Sequence, residues 1–221
     1  QLSPTVTPLI EKTDKFLMVG CGNAPLSPDF HAAGYTNTIH MDYCKTVIDQ
    51  QKERHPDMDW RVMDALNMPE LQSGSIDVVF DKSLIDTTMC YSDGHETTER
   101  LFREMYRVLK PGGRVVQVSL HKEDEVNCFE GTEGCDWICS TCKLVNRKVM
   151  NEDAGAETAI YHTLAVFDKL GGLGEAERRR VERRHPIPFV NALTDLEIWE
   201  LEEKIRARAT PRTRKWGDNR S

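Results

Sequence analysis

Short apolar runs alternate with polar segments along the first 120 residues of the chain. Each run is bounded by glycine, proline or polar turn residues, a pattern typical of buried strands. The run at 76–80 is apolar almost throughout, as expected of a central parallel strand that is covered on both faces. The strands predicted in this half are Phe16–Val19, Thr38–Asp42, Trp60–Asp64, Ile76–Phe80 and Arg114–Leu120.

The segments between these strands carry helix signals. Apolar residues recur at helical spacing over 95–109 and predict an amphipathic helix. Shorter helices are predicted at 28–33, where Ser27 is a good N-cap, and at 45–54, which a proline ends. Strands that alternate with helices in this way predict an α/β fold.

The second half of the chain has a different pattern. Two strands at 143–150 and 158–169 flank a polar turn and predict a hairpin, and a charged helix follows at 175–184. A capping box at Thr194–Glu197 predicts a further helix. The chain is therefore divided into a short N-terminal segment at 1–14, a main domain at 15–170 and a charged helical extension at 171–221.

Charge is distributed unevenly along the 221 residues. The net charge is −7, of which residues 1–170 carry −10 and the remainder +3. An acidic main domain argues against a general nucleic-acid binder and suits a cationic substrate.

Composition also bears on location. No apolar run reaches membrane-spanning length, and the first residues lack the basic start and apolar core of a signal peptide. Seven cysteines, an odd number, indicate reduced thiols and a cytoplasmic protein. The chain starts with Gln1 rather than Met, so we expect it to derive from a longer one.

Three strand ends carry residues suited to a nucleoside ligand. The first strand ends in Gly20-Cys21-Gly22, where two glycines let the backbone approach a ligand closely. Asp42 follows twenty residues later at the end of the second strand, where an acid accepts hydrogen bonds from ribose hydroxyls. Asp64 ends the third strand and suits an adenine amino group. The third glycine of a dinucleotide fingerprint is replaced by Pro25, which favours S-adenosylmethionine (SAM) over a dinucleotide.

These residues, in this order and spacing, resemble class I SAM-dependent methyltransferases over about residues 16–120. Gly20-Cys21-Gly22 is similar to the first motif of that family, Asp42 to its ribose acid and Asp64-Ala65 to its adenine-edge pair. The resemblance implies SAM as cofactor. It also implies a Rossmann-like, seven-stranded, mostly parallel sheet with helices on both faces and one antiparallel strand.

Within that family the chain resembles the branch that includes lysine methyltransferases of translation elongation factor 1-alpha. The segments that carry this resemblance are Gly20–Ser27, Met41–Tyr43 and Asp81–Asp86. The chain departs from the family at Met18, where many members have an acid that supports the SAM amino group or the glycine turn.

The resemblance implies a set of cofactor-binding residues: Gly20, Cys21, Gly22, Asn23, Asp42, Tyr43, Asp64, Ala65, Asp81 and Lys82. Several have ordinary alternatives. Asn23 either contacts the cofactor or simply tolerates the turn, and Tyr43 either covers the adenine or is a half-buried aromatic at a strand end. Asp81 and Lys82 either line the site or form a solvated ion pair.

Asp86 and His121 are the candidate catalytic residues. A lysine ammonium must lose a proton before it can be methylated, and these two side chains are expected to orient it or accept that proton. The alternative for His121 is a polar loop residue. Trp137 is either a wall of the acceptor pocket or a surface packing residue.

A cysteine cluster raises the question of a metal. Cys128, Cys135, Cys139 and Cys142 lie close in sequence but lack the paired spacing of a zinc ribbon. Zinc and free thiols are both considered, and no metal is assigned.

Three functions follow from these observations. The first is methylation of a lysine on a protein, which suits the acidic main domain. The second is methylation of a small molecule, because a fold does not determine the acceptor. The third is a catalytically silent interaction module, suggested by the short N-terminal segment and the basic tail. No membrane partner is expected, and a nucleic-acid partner is disfavoured.

Overall fold

The structure is a computed structural model that describes residues 9–146 and 160–185. Seven strands form one sheet, and six α-helices lie against it. The strands are β1 Phe16–Val19, β2 Thr38–Asp42, β3 Asp59–Val62, β4 Ile76–Lys82, β5 Leu109–Ser119, β6 Trp137–Asn146 and β7 Ile160–Lys169. The helices are α1 Leu26–Ala32, α2 Lys45–Arg54, α3 Leu84–Thr88, α4 Gly94–Val108, α5 Glu123–Asn127 and α6 Glu175–Glu182.

The sheet has the order β3-β2-β1-β4-β5-β7-β6. Strands β1 to β5 pair in parallel, whereas β7 runs antiparallel to both of its neighbours. The order reverses on either side of β1, which is where open α/β sheets bind their ligands. The expected Rossmann-like, mostly parallel sheet with one antiparallel strand is confirmed.

The central strands are buried because both faces of the sheet are covered. Side chains alternate along β1, so Leu17 packs into one core and Phe16 into the other. Phe16 contacts Phe30 of α1, with the ring centres 5.3 Å apart. On the opposite face, α4 buries Leu101 and Phe102 completely. These two cores hold the carboxyl ends of the strands in position.

Helix α1 starts two residues earlier than predicted. Ser27 does not cap it, because its hydroxyl group lies inside the helix and donates to the Met18 sulfur at 2.9 Å. Pro25 occupies the N-cap position instead. Met18, which stands where many members of the family that the sequence resembles have an acid, is therefore a buried packing partner of α1.

Strand β6 starts at Trp137, six residues before the predicted position. Cys139 and Cys142 therefore lie in a strand rather than in a loop. Trp137 is 6% exposed and packs against core aromatic rings, including Phe102 and Phe167. It is neither a wall of the acceptor pocket nor a surface residue, and both predicted alternatives are corrected.

A buried polar cluster joins the end of α6 to the sheet. His185 Nε2 lies 2.7 Å from Asp168 Oδ2, and its Nδ1 lies 2.6 Å from Ser140 Oγ. Arg114 Nε lies 3.0 Å from the other Asp168 oxygen. The side chains of Ser140, His185 and Asp168 are all buried. We call these four residues the His185 cluster and assign them a structural role.

Parts of the predicted pattern lie outside the described residues. These are residues 1–8, the turn at 152–157 with the adjoining strand ends, and the helix predicted after Thr194. Within the described ranges, no helix has the length and apolar character needed to cross a membrane.

Candidate functional site

The carboxyl ends of β1, β2 and β3 meet at one edge of the sheet and enclose a first cavity of about 200 Å³. Residues from all three predicted strand ends contribute to its lining, together with α3 and the loop after it. Among the lining residues are Gly20, Tyr43, Asp64, Ala65, Leu84 and Tyr91. The structure thus brings together residues as far apart in sequence as Gly20 and Leu101.

The glycine turn is attached to β2 by several hydrogen bonds. Gly20 and Gly22 have φ angles of +58° and +57°, in the left-handed region that glycine adopts without strain. Cys21 N donates to the Met41 carbonyl oxygen at 2.9 Å, and Gly22 N donates to Asp42 Oδ2 at 3.0 Å. These bonds hold the turn open beside the cavity.

A side chain on Gly22 would project into open space beside the glycine turn. A Cβ added there meets no described atom within 4 Å, so the position opens on free space. At Gly20, by contrast, a Cβ would lie 3.2 Å from Leu84 Cδ1. Gly22 is therefore the more selective probe of ligand approach.

Gly22→Ala is expected to reduce SAM affinity far more than stability. The left-handed backbone costs roughly 1–2 kcal/mol in an alanine, whereas the new methyl group enters the ligand space. Urea unfolding and isothermal calorimetry measure the two effects separately. A normal dissociation constant in the folded variant would contradict this placement of the ligand.

Asp42 is turned toward the glycine turn. One carboxylate oxygen accepts from Gly22 N, and the other accepts from Cys44 N at 2.9 Å. The residue is 8% exposed, and neighbouring Met41 and Tyr43, rather than Asp42, line the first cavity. Each oxygen keeps a second acceptor site, so the predicted ribose contact stays compatible with this geometry. Organising the turn is a role that the sequence analysis missed.

Two tyrosines stand at the rim of the first cavity. Tyr43 is 75% exposed and Tyr91 is 49% exposed, unusually high values for large aromatic side chains that line a cavity. Tyr91 was not predicted, although it directly precedes the polar residues that open α4. Exposed rings at a nucleoside-sized cavity suit stacking on a purine.

Asp64 and Ala65 lie on the far wall of the first cavity. Asp64 Oδ1 accepts from Leu66 N at 2.9 Å, which fixes the local turn, and the side chain is otherwise exposed. Its second oxygen is available to an amino group, as predicted for an adenine edge. Ala65 is buried beside it and lines the same wall.

A second cavity of about 170 Å³ lies on the other side of the glycine turn and shares Gly20 with the first. Cys21, Gly22, Asn23 and Lys82 line it. Burial, with a contribution from the Asp42 carboxylate, raises the pKa of Cys21 to about 12, so this thiol stays protonated. Asn23 and Lys82 are exposed there, in reach of a polar ligand.

Asp81 faces the protein interior and lines neither cavity. It is fully buried and accepts hydrogen bonds from Leu84 N, Ile85 N and the Gln117 amide. Burial raises its pKa to about 6, and the nearby Asp86 adds to this shift. The predicted cofactor contact is therefore replaced by an indirect role, in which Asp81 anchors the start of α3. It forms no ion pair with Lys82, which is exposed.

Asp86 and His121, the two predicted catalytic residues, are brought together from α3 and the end of β5. Asp86 Oδ1 accepts from Ser119 Oγ at 2.5 Å and from Leu120 N at 3.0 Å. His121 Nε2 lies 3.9 Å from the same oxygen. Asp86 Oδ2 is buried and has no hydrogen-bond partner among the described residues. This oxygen is closed off from solvent, so it meets an incoming donor only if the Asp86 side chain turns outward.

The cysteines do not form a metal site within the described part of the chain. All seven are free, and no three His, Cys, Asp or Glu side chains there are grouped as metal ligands. Burial raises the pKa of Cys135 to about 11 and that of Cys142 to about 12, and it also raises the pKa of Cys139. Thiols that stay protonated are poor metal ligands and poor nucleophiles.

The two cavities fit the two halves of SAM. The first is apolar, has exposed aromatic rings at its rim and ends at a carboxylate, as an adenosine requires. The second is lined by the exposed Asn23 and Lys82, whose polar side chains suit the charged groups of an amino acid. Gly20 lies between them, where the two halves of the ligand would join.

Comparison with known proteins agrees with this geometry. Residues 17–117 match the family model described as a methyltransferase domain. Over 118 residues the chain is 36% identical to the zebrafish (Danio rerio) eEF1A lysine and N-terminal methyltransferase, covering 52% of this chain and 17% of that protein. Over 119 residues it is 33% identical to mouse (Mus musculus) EEF1A lysine methyltransferase 4, covering 48% and 46% of the two chains. The chain therefore spans at most about half of these relatives.

Solved structures share the fold at low sequence identity. A SAM-dependent methyltransferase from Methanosarcina mazei is 14% identical and superimposes with a TM-score of 0.54, covering 77% of this chain and 99% of that one. The N-methyltransferase NodS from Bradyrhizobium japonicum, in complex with S-adenosyl-L-homocysteine, has a TM-score of 0.51 at 15% identity, covering 70% and 76%. The fold, the matched domain and the related sequences together show a class I SAM-dependent methyltransferase domain, whose sequence resembles that of the eEF1A lysine methyltransferases.

Proposed function

We propose that the protein is a SAM-dependent N-methyltransferase that methylates a lysine side chain of a protein. The observation that carries the proposal is the pairing of Asp86 and His121 at the sheet edge that bears both cavities. Asp86 Oδ2 has no hydrogen-bond partner among the described residues, and we propose that the side chain turns outward so that this oxygen pairs with the acceptor ammonium. The relatives named as eEF1A lysine methyltransferases support eEF1A as the first acceptor to test.

We propose the following roles for the side chains of the site. The glycine turn, Tyr43, Tyr91 and Asp64 hold the cofactor, which supplies a methyl group bound to a positively charged sulfur. Asp86 attracts and orients the acceptor ammonium. Because a carboxylate also raises the pKa of that ammonium, a separate group must remove its proton, and His121 is placed to do so.

The acidic character of the chain is consistent with this assignment. Residues 1–170 carry a net charge of −10, which attracts basic segments of a protein acceptor. The free thiols support a reducing compartment, and we place the activity in the cytoplasm.

Transfer of a radiolabelled methyl group from SAM to eEF1A tests the proposal. We expect the wild-type protein to label eEF1A on lysine, and Asp86→Asn to reduce labelling about 100-fold, because general acid–base and orienting groups typically contribute at least that much. SAM binding by the variant, measured by calorimetry, is the control and is expected to be unchanged.

The same assay separates the rival functions. Label confined to the small-molecule fraction of a cell extract would exclude a protein acceptor and favour small-molecule methylation. Failure of the wild-type protein to bind SAM would exclude any methyl transfer and favour a silent interaction module.

A further inference from the structure

His121 lies between two carboxylates that come from different helices. Its Nδ1 is 3.3 Å from Glu125 Oε2 on α5, within hydrogen-bonding reach. Its Nε2 is 3.9 Å from Asp86 Oδ1 on α3, which is beyond hydrogen-bonding reach. The two ring nitrogens therefore have different partners, and only Nδ1 is engaged.

The main chain of His121 is held from both sides. His121 N donates to Ser119 Oγ at 3.0 Å, and Thr163 Oγ1 of β7 donates to the His121 carbonyl oxygen at 2.6 Å. The side chain is 29% exposed, so part of the ring stays open to solvent. Its position is thus set by the sheet rather than by a loop.

Glu125 is held in place by a second hydrogen bond. The same oxygen that faces His121 accepts from Lys122 N at 2.8 Å, at the start of α5. This backbone bond, followed by His121, lowers the pKa of Glu125, so the carboxylate is ionised at neutral pH. The ionised Glu125 carboxylate therefore lies in a defined position beside His121 Nδ1. The nearest positively charged residue in the sequence is Lys122.

We propose that Glu125 is a positioning residue, which holds the proton of His121 on Nδ1 and leaves the Nε2 lone pair facing Asp86 and the incoming amine. This inference rests on the proposed function. The Glu125 charge also stabilises the imidazolium that forms when Nε2 accepts a proton. The arrangement is a carboxylate–imidazole pair, in which the carboxylate orients the imidazole and the imidazole accepts the proton.

The proton and electron balance is simple. An N–H bond of the acceptor ammonium breaks, and the proton forms a new bond to His121 Nε2. The electron pair left on the amine nitrogen forms the N–CH₃ bond, and the electron pair of the broken S–CH₃ bond stays on sulfur. His121 later returns the Nε2 proton to solvent, and its Nδ1 proton stays hydrogen-bonded to Glu125 throughout.

Three variants distinguish this role from a structural one. Glu125→Gln keeps an oxygen that accepts both hydrogen bonds and removes only the charge. Glu125→Ala removes the charge and both bonds. Asp124→Asn removes one charge from the adjacent position of the same helix, and Asp124 has no contact with His121 in the described structure.

The first measurement follows the His121 ring by NMR titration of the free protein, with His121→Gln used to assign its signal. We expect the midpoint to be lower in Glu125→Gln than in the wild type, because the variant lacks the charge that stabilises the imidazolium, and to be unchanged in Asp124→Asn. An equal midpoint in wild type and Glu125→Gln would overturn the inference. Because no acceptor or cofactor is present, this result does not depend on the proposed function.

The second measurement is the pH dependence of methyl transfer from SAM to eEF1A. The acidic limb of the kcat profile should move to lower pH in Glu125→Gln by the amount seen by NMR, and Glu125→Ala should lower kcat roughly tenfold with KM unchanged. If the acidic limb of the kcat profile stays at the same pH in Glu125→Gln although the NMR midpoint moves, His121 is not the base and Glu125 does not support it. A wild-type protein that transfers no methyl group would instead refute the proposed function.

Discussion

Asp42→Ala is expected to abolish measurable SAM binding and to destabilise the fold at the same time. The Asp42 carboxylate accepts from Gly22 N and Cys44 N, so its loss leaves two backbone donors of the cofactor turn without their partner. Hydrogen bonds to a charged group are worth about 1.5–3 kcal/mol each. We expect SAM affinity to fall at least about 100-fold, which corresponds to roughly 2.7 kcal/mol, as measured by calorimetry.

Two controls make the Asp42 result interpretable. Asp49→Ala removes a carboxylate from α2 whose ion pair with Lys45 is exposed, and it should leave both stability and SAM affinity unchanged within about 0.5 kcal/mol. Asp42→Asn retains one oxygen and should give an intermediate affinity. If Asp42→Ala binds SAM as tightly as the wild type, the glycine turn does not need this carboxylate, and the site described above is wrong.

Asp168→Asn is expected to cause the largest loss of stability, about 3–5 kcal/mol in urea unfolding. The Asp168 side chain is 1% exposed and faces both Arg114 and His185. In this variant the Arg114 guanidinium stays in a mostly buried site but no longer faces an opposite charge. The penalty of an uncompensated buried charge is much larger than the net value of the ion pair itself.

Asp136→Asn provides the matched comparison. Asp136 also pairs with an arginine, Arg178 of α6, but both side chains are more than 40% exposed. Solvent screening limits such a pair to less than about 1 kcal/mol. Equal losses in Asp136→Asn and Asp168→Asn would show that burial of the His185 cluster does not determine its contribution.

The sequence was most informative where local signals and tertiary packing agree. The helix predicted at 45–54 has the same bounds as α2, because its proline stop is a local feature of the backbone. The spacing of Gly20, Asp42 and Asp64 predicted a shared edge, because parallel strands of one sheet must end on the same side. These predictions depend on chain direction and periodicity, which can be read directly from the sequence.

Side-chain orientation was harder to predict. Asp81 and Asp42 both end strands at the ligand edge, but Asp81 turns inward to anchor α3, and Asp42 turns toward the glycine turn. Whether a carboxylate faces a ligand or a backbone amide depends on neighbouring turns, and no periodicity encodes that choice. Tyr91 was missed for a similar reason, since only the fold brings its loop to the first cavity.

The early start of β6 has a further explanation. Segment 137–142 contains four cysteine, serine or threonine residues and only two apolar ones, so its composition indicated a loop rather than a strand. Pairing with β7 determines its structure, and that contact joins positions more than 20 residues apart. Long-range strand pairing overrides local composition here.

Strand β7 makes contacts with both His185 and His121. At one end Asp168 holds His185, and five residues away Thr163 holds the backbone of His121. A shortened form that stops at Leu170 would lack His185 and would expose the Asp168 side to water. Fragments made for crystallisation or isotope labelling should therefore extend through His185, and protease cleavage within α6 should loosen the strand that supports the backbone of His121.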